Sequence, residues 1–352
     1  MFKKCIITCG EPIGVGYEII LKVIKVIKVI KEKNILPIVI GNLFWLNYIA
    51  KKSKTDISYL SINKQEILQL SSIVLPKEKF LAINVLENIK TVKQIKIFSG
   101  LVSFSSLEIA SDLTKTFIEN NENVGILTMP VSKNKIQKQT KKHFLGHTEY
   151  FAKKFNISKN DISMLMMGKD KINYNTIYKV LLLTRHIPLK KVSVELEKEN
   201  IVKQIKNVVN FLTKYENIKN LEILFCGLNP HLGENGKIGL EEKTKLFFAV
   251  KKLKNYFTNK NIKIVFPILT EQAFKYAKNK NNTLIVCNYH DQAMIPLKIL
   301  CGYNIANITV GLPFIRISPG HGTAEDIMLK NKVDISSSIF CIEKLISYLS
   351  LN

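Results

Sequence analysis

Short apolar runs alternate with longer amphipathic stretches along most of this chain, and this alternation limits its fold more than any other feature. Seven runs have the length and composition of buried strands: Cys5–Cys9, Leu36–Ile40, Gly125–Thr128, Val180–Thr184, Glu222–Cys226, Lys263–Ile268 and Thr283–Asn288. The stretches between them that predict helices include Leu101–Glu119, Val192–Tyr215, Leu240–Phe257 and Glu271–Lys278. Strands that alternate with helices favour an α/β fold built on a largely parallel sheet.

The size and composition are those of a globular protein. The 352 residues allow one large domain or two of medium size, and a hydrophobic content of 46% supports a buried core. Disorder as the main state is excluded, because a disordered chain has low hydrophobicity. No stretch rich in proline, glycine or serine separates two halves, so two domains would be closely packed lobes.

The net charge of +24 raises the question of a nucleic-acid partner. Arg185 and Arg316 are the only arginines among the 52 basic residues, and all the others are lysines. Arginine is the residue that reads phosphates and guanine bidentately, and lysine cannot replace it there. The abundance of lysine, isoleucine and asparagine is typical of an AT-rich coding sequence. We therefore interpret the charge as a composition bias and predict no nucleic-acid partner, with nucleic-acid binding as the alternative.

The cysteines and the N-terminus predict a soluble cytoplasmic protein. None of the six cysteines forms a CxxC pair, and the first ten residues lack the apolar region and cleavage site of a secretory signal. The most apolar stretch, Ile35–Ala50, is interrupted by polar residues and is shorter than the roughly 20 apolar residues of a membrane span. We expect no membrane partner.

Three histidines follow three different predicted strands. Ligands of open α/β sheets bind at the carboxyl ends of the strands, where His186, His231 and His290 are expected to lie. Three imidazoles suit a catalytic divalent metal ion, and Asp291 offers a further oxygen. The spacing of the histidines fits no local metal motif, so a structural role for each remains the alternative.

Three other clusters are candidates for binding. Gly10, Gly14 and Gly16 follow the first strand and allow close approach of a cofactor, or they form a plain turn. The motif GHTE at 146–149 places a histidine, a hydroxyl and a carboxylate together, or simply begins a helix. Arg316 stands out because arginine is so rare here, and it suits a phosphate or carboxylate ligand, with a structural ion pair as the alternative.

These clusters, in this order, resemble the 4-hydroxythreonine-4-phosphate dehydrogenase family of vitamin B6 biosynthesis. The resemblance rests on GHTE, GLNPHLGE, YHDQ followed by PLK, and LPFIR with HGTA, spread between Gly10 and Ala324. It implies an isocitrate/isopropylmalate-dehydrogenase-like fold: two α/β lobes, residues 1–130 with 300–352 and residues 131–299, with a cleft between them. The second lobe would carry most of the metal and dimer contacts.

The resemblance also implies a reaction and a set of partners. A homodimer would oxidise 4-phosphooxy-L-threonine with NAD, or with NADP in its place. Loss of carbon dioxide would then give 3-amino-2-oxopropyl phosphate. The metal ion would be held by residues of both subunits. Zn²⁺, Co²⁺ and Mn²⁺ suit three imidazoles, whereas Mg²⁺ would need more oxygen ligands.

Site residues follow from the family motifs position by position. The metal ligands would be His186, His231 and His290. The substrate contacts would be His147, Thr148, Lys298, Asn307 and Arg316. Lys298 and Asp291 are the candidates for taking the proton of the substrate hydroxyl. The chain departs from the family pattern at Glu11, Tyr17, Arg185 and Gly320.

Two other groups of functions remain open. A family member with the same phosphate and metal contacts could oxidise another phosphorylated hydroxy acid, such as a threonate or erythronate phosphate. A phosphate-binding protein without catalysis, or an acyl-phosphate transferase, could share the fold. Absence of bound metal, or no change on His231→Ala, would support the second of these groups, whereas the first shares its metal and phosphate contacts with the main interpretation.

Overall fold

The computed structural model of the chain describes residues 3–31, 35–68, 79–330 and 332–351, without the side chains of residues 24–31 and 68. The chain forms two compact units. The first comprises Met1–Ile157 and Leu312–Asn352, and the second comprises Ser158–Gly311. The lobes expected from the family resemblance change over near residues 130 and 300, earlier in the chain than these units do.

All seven predicted strands are present. The strands of the described residues are β1 Lys3–Thr8, β2 Ile35–Gly41, β3 Tyr59–Ser61, β4 Phe80–Asn84, β5 Val124–Thr128, β6 Ser163–Lys169, β7 Ile177–Leu182, β8 Leu221–Cys226, β9 Ile262–Ile268, β10 Thr283–Cys287, β11 Ile305–Val310 and β12 Ile315–Pro319. The prediction missed β3, β4, β6, β11 and β12.

The helices alternate with these strands, as predicted. They are α1 Gly16–Lys31, α2 Leu43–Lys52, α3 Lys64–Leu68, α4 Val92–Ile97, α5 Ser99–Glu119, α6 Lys133–Thr140, α7 His147–Lys154, α8 Val192–Glu195, α9 Lys198–Tyr215, α10 Phe247–Tyr256, α11 Thr270–Ala277, α12 His290–Cys301 and α13 Ser336–Ser350. Among the helices that the structure describes, none is both long and apolar enough to cross a membrane.

Two predicted helices are interrupted. The helix predicted over Val192–Tyr215 divides into α8 and α9, because the buried Leu196 leaves the helical conformation with ψ of 72°. The helix predicted over Leu240–Phe257 begins as a π-helix, Glu242–Leu246, and only then continues as α10. A buried residue lies at each interruption, Leu196 at the first and Glu242 at the second, and hydrophobic periodicity does not report either change.

The first unit contains a parallel sheet with the strand order β3-β4-β2-β1-β5-β12. The middle strand β1 pairs with β2 and β5, so that Ile6 lies between Ile38 and Ile126. All three side chains are fully buried, as expected for a parallel sheet that helices cover on both faces. The carboxyl ends of β1, β5 and β12 therefore lie side by side.

The second unit contains a mixed sheet with the strand order β11-β6-β7-β10-β8-β9. Strands β7, β10, β8 and β9 are parallel, whereas β6 is antiparallel to both of its neighbours. A short turn explains this departure, because the Asp170 Oδ1 atom accepts hydrogen bonds from the N–H groups of Ile172 and Asn173 at 2.8 and 2.9 Å. Such a turn can join antiparallel neighbours only.

Candidate active site

A polar network joins three strand ends of the second unit. The carbonyl oxygen of Asn288, directly after β10, accepts a hydrogen bond from Thr184 Oγ1 beyond β7 at 2.6 Å. The Asn288 Nδ2 atom donates to the carbonyl of Cys226, the last residue of β8, at 3.0 Å. Gln292 Nε2 donates to the carbonyl of Gly227 at 2.8 Å. The network fixes the places from which the three predicted metal ligands extend.

His186 and His290 lie together beyond the ends of β7 and β10. Their ring centroids are 5.5 Å apart, and both rings line a cavity of about 290 Å³ with Tyr289 and Asp291. Two imidazoles bound to one Zn²⁺ at about 2.0–2.1 Å have ring centres separated by roughly 5–6 Å. The pair therefore fits two positions of one metal site.

Asp291 orients one of these rings. Its Oδ1 atom lies 2.7 Å from Nδ1 of His290. When Nδ1 carries the proton that is shared with the carboxylate, Nε2 presents its lone pair outward. This geometry fits Asp291 to the role of a carboxylate that orients a metal-binding histidine.

His231 is exposed on the segment Pro230–Gly236 that follows β8. Residues 231–235 all have positive φ, between 41° and 80°. Left-handed backbone costs a non-glycine residue roughly 1–2 kcal/mol, so surrounding contacts must hold this segment. No group of three or more metal-binding side chains occurs among the described residues. The structure thus brings His186 and His290 together, and no such group that includes His231 occurs in the part of the chain it describes.

Lys298 and Asn307 also belong to the second unit. Lys298 is exposed on α12, seven residues after Asp291 and on the same face, about 10 Å further along the helix axis. Asn307 lies on β11, and its Oδ1 atom is buried with no hydrogen-bond partner in the described part of the chain. An unsatisfied buried acceptor costs about 1–3 kcal/mol, which an N–H donor of a ligand would recover.

His147 and Thr148 begin α7 in the first unit, directly after Gly146. Burial, together with the positive charges of Arg316 and Lys133, holds the pKa of His147 well below its usual value. The imidazole is therefore neutral at neutral pH. Its Nε2 atom is buried without a hydrogen-bond partner among the residues that the structure describes, as expected of a group that meets a ligand.

Arg316 is the second residue of β12 and is only 2% exposed. Its Nε and Nη2 atoms donate to Oγ1 of Thr128, at the end of β5, at 3.1 and 2.6 Å. Burial lowers the pKa of the guanidinium to about 10, against the opposing effect of Glu149. The group stays protonated at neutral pH, so the first unit holds a buried cation near a neutral imidazole.

The glycines of the first loop pack against the chain itself. A side chain at Gly10, where φ is +74°, would meet the carbonyl oxygen of Pro130 at 2.5 Å. One at Gly14 would meet the carbonyl of Thr323 at 2.6 Å, and one at Gly16 would touch the carbonyl of Cys9. These close approaches explain the glycines by packing alone, and their role in cofactor binding stays a prediction.

Two departures from the family pattern fit into the interior. The Glu11 side chain is fully buried and pairs with Lys135, whose Nζ lies 3.5 Å from Oε1. The hydroxyl of the buried Tyr17 accepts a hydrogen bond from the N–H group of Asn42 at 2.9 Å. Both larger side chains thus have partners in the chain.

Comparison with known proteins defines first a class and then a family. The chain has the fold of an isocitrate dehydrogenase from Methylococcus capsulatus, with a TM-score of 0.52 over 99% of this chain and 86% of that one, at 10% identity. This confirms the predicted isocitrate-dehydrogenase-like α/β fold. A solved 4-hydroxythreonine-4-phosphate dehydrogenase from Klebsiella pneumoniae is more similar, with a TM-score of 0.76 and 26% identity over 99% of both chains.

Residues 33–344 match the family described as pyridoxal phosphate biosynthetic protein PdxA, and the chain belongs to this family. A 4-hydroxythreonine-4-phosphate dehydrogenase from Aquifex aeolicus is 35% identical over 344 residues, which are 97% of both proteins. A protein from Oceanobacillus iheyensis named putative D-threonate 4-phosphate dehydrogenase is 32% identical over 98% of both. The family resemblance predicted from the motifs is confirmed.

Proposed function

We propose that this protein oxidises 4-phosphooxy-L-threonine with NAD in pyridoxal phosphate biosynthesis. The hydroxyl carbon would give a hydride to NAD, and the hydroxyl would lose its proton. The carboxylate would then leave as carbon dioxide, and a proton would take its place on the carbon that carried it. The products would be 3-amino-2-oxopropyl phosphate and NADH. The observation that carries the proposal is the imidazole pair of His186 and His290, because it lies at neighbouring strand ends in a member of this family.

A divalent metal ion is part of the proposal. His186 and His290 would hold it in one subunit, and His231 of a second copy would complete the set, which makes the active form a homodimer. When bound, the ion would polarise the substrate hydroxyl and then the oxo group that replaces it. Three imidazoles favour Zn²⁺, Co²⁺ or Mn²⁺.

Each unit offers substrate contacts. In the first unit, the Arg316 guanidinium suits an anionic group of the substrate, and the neutral His147 with Thr148 can hydrogen-bond to it. In the second unit, Asn307 Oδ1 would accept a hydrogen bond from an N–H donor such as the substrate ammonium, and Lys298 offers a second cation. Buried groups with unused hydrogen-bonding atoms support these assignments, since Asn307 and His147 both have one.

The proton of the substrate hydroxyl needs an acceptor. Asp291 is already engaged with Nδ1 of His290, which favours an orienting role for it. Lys298 is therefore our candidate for the acceptor: as a neutral amine it would take the proton, and it would then be the ammonium that contacts the substrate.

A second candidate substrate is a phosphorylated hydroxy acid without an amino group. It is favoured by the 32% identity to the relative named for D-threonate 4-phosphate. Such a substrate would present a hydroxyl donor where the ammonium would otherwise meet Asn307. The two candidates share the phosphate and metal contacts, so a direct comparison must separate them.

The test is NADH formation by the purified full chain with each substrate, with and without a chelator, in the wild type and in His290→Ala. We expect turnover of 4-phosphooxy-L-threonine that is lost with the chelator and in the variant. Preference for D-threonate 4-phosphate would establish the second candidate. No NADH from either substrate with added metal would refute both.

A further inference from the structure

The segment 227–236, which carries His231, has a backbone that its own sequence does not favour. Five successive residues, 231–235, lie in the left-handed region, and only Gly233 among them is a glycine. Residues other than glycine adopt this conformation singly, not in runs, unless the surroundings impose it. We therefore expect neighbouring residues to make contacts that hold the segment in this conformation.

The carboxylate of Glu242 lies at the centre of this segment. The side chain is 5% exposed, and Oε1 accepts hydrogen bonds from the N–H groups of Leu228 and Asn229, both at 2.7 Å. Oε2 accepts a further bond from Asn229 Nδ2 at 2.9 Å. Hydrogen bonds to a carboxylate are stronger than those between neutral groups. One charged group therefore holds the start of the segment at three points.

The same carboxylate also contacts the middle of the segment. A side chain at Gly233 would come within 2.9 Å of Glu242 Oε2, and one at Gly227 within 3.2 Å of Oε1. The segment thus wraps around the carboxylate, and glycine is needed where it passes closest. Glu242 begins a π-helix, a local irregularity of the kind that often marks functional sites.

The beginning of the segment is held from its other side as well. Gln292 Nε2 donates to the Gly227 carbonyl at 2.8 Å and to Thr270 Oγ1 at 3.0 Å. Gln292 is on α12, two residues after His290. Gln292 therefore connects the start of the segment that carries His231 to α12, the helix that carries a second proposed metal ligand.

We propose that Glu242 is a positioning residue whose buried carboxylate holds the 227–236 segment in the conformation that presents His231. Both carboxylate oxygens face the segment and its asparagine, so Glu242 acts through His231 and is not itself a ligand. The inference rests on the proposed function only where it assigns metal binding to His231.

The experiment compares Glu242→Gln with Glu241→Gln in the full-length protein. Glutamine keeps the shape of Glu242 but replaces one acceptor oxygen with an NH₂ group that cannot accept a hydrogen bond. Glu241 accepts a hydrogen bond from the side chain of Asn229, like Glu242. None of the hydrogen bonds described for Glu241 comes from a backbone N–H group of the segment, so this residue is the matched control. Amide hydrogen exchange, Zn²⁺ titration calorimetry and the visible spectrum of bound Co²⁺ are measured for each.

In Glu242→Gln we expect the amides of Leu228 and Asn229 to exchange at least about tenfold faster. Zn²⁺ affinity should fall about 10- to 100-fold, and the Co²⁺ spectrum should change, because it reports ligand geometry. Glu241→Gln should differ from the wild type by less than about threefold. Unchanged exchange, affinity and spectrum in Glu242→Gln would overturn the proposal.

Two further measurements separate the possible failures. Unchanged amide exchange in β8 and β10 would show that the Glu242→Gln variant is folded. If the variant does not fold, amide exchange in the wild type tests the proposal by itself. Leu228 and Asn229 amides that exchange at their intrinsic rates in the wild type would overturn the positioning role. An unchanged Zn²⁺ affinity in His231→Ala would remove His231 from the proposed metal site, while the exchange data still test Glu242.

Discussion

Replacing Arg316 with lysine tests whether a buried guanidinium holds the anionic part of the substrate. Lysine keeps the positive charge but has a single nitrogen, whereas Arg316 donates to Thr128 Oγ1 through two nitrogens, Nε and Nη2, of a planar guanidinium. At least one charged hydrogen bond should be lost, worth about 1.5–3 kcal/mol. This corresponds to a fall in kcat/KM of roughly 10- to 150-fold.

The assay is the initial rate of NADH formation over a range of substrate concentrations. Thr128→Val is the informative comparison, because it removes the acceptor that orients Arg316 and leaves the charge in place. We expect a smaller loss in Thr128→Val, and a double variant no worse than Arg316→Lys alone, since both changes act on one interaction. Wild-type kcat/KM in Arg316→Lys would refute the reasoning, as would fully additive losses.

Three further results are expected. The pKa of His147 is lowered in the folded protein, so below pH about 6.5 the unfolded chain binds a proton that the folded chain binds only at lower pH. The free energy of unfolding therefore decreases as the pH falls through that window. Urea unfolding of His147→Gln between pH 7 and 5 should therefore show a shallower loss, by at most about 1.4 kcal/mol per pH unit, and an unchanged slope would contradict this. Asn288→Ala should lower the free energy of unfolding by about 1–3 kcal/mol, measured in the same way, because the Nδ2 bond to Cys226 is lost. Asp291→Asn should weaken Zn²⁺ binding about 10- to 100-fold in calorimetry, and an unchanged affinity would show that the contact with His290 does not orient the ring.

Local sequence patterns predicted seven of the strands, but they missed β4 and β6, which are also continuously buried and largely apolar. The seven apolar runs are all strands, because a parallel strand covered on both faces leaves a clear mark in the sequence. Strand β12 lacks this mark, since a buried arginine interrupts its apolar residues. The sequence also predicted a largely parallel sheet, and the antiparallel direction of β6 could not be predicted from its own residues. Which strand lies next to which depends on the turn at Asp170 and on pairing with β11, and neither is encoded in the β6 residues themselves.

The candidate site likewise contains residues that could be predicted from the sequence and residues that could not. The place of His186 and His290 could be predicted because both follow apolar strands, and the carboxyl ends of parallel strands lie at one edge of an α/β sheet. Glu242 and Asn288 could not be predicted, because their roles arise from contacts between elements that are distant in the chain. The glycines of the first loop suggested a cofactor, whereas the close approaches of Pro130 and Thr323 already require them.

The most direct test of the proposed reaction is to measure NADH and carbon dioxide together during turnover of 4-phosphooxy-L-threonine by the full-length protein. We expect the two products in equal amounts, no product after the metal is removed with a chelator, and recovery when Zn²⁺ or Co²⁺ is returned. NADH without carbon dioxide, or turnover that continues at full rate in the metal-free protein, would contradict the metal-dependent oxidative decarboxylation proposed for this chain.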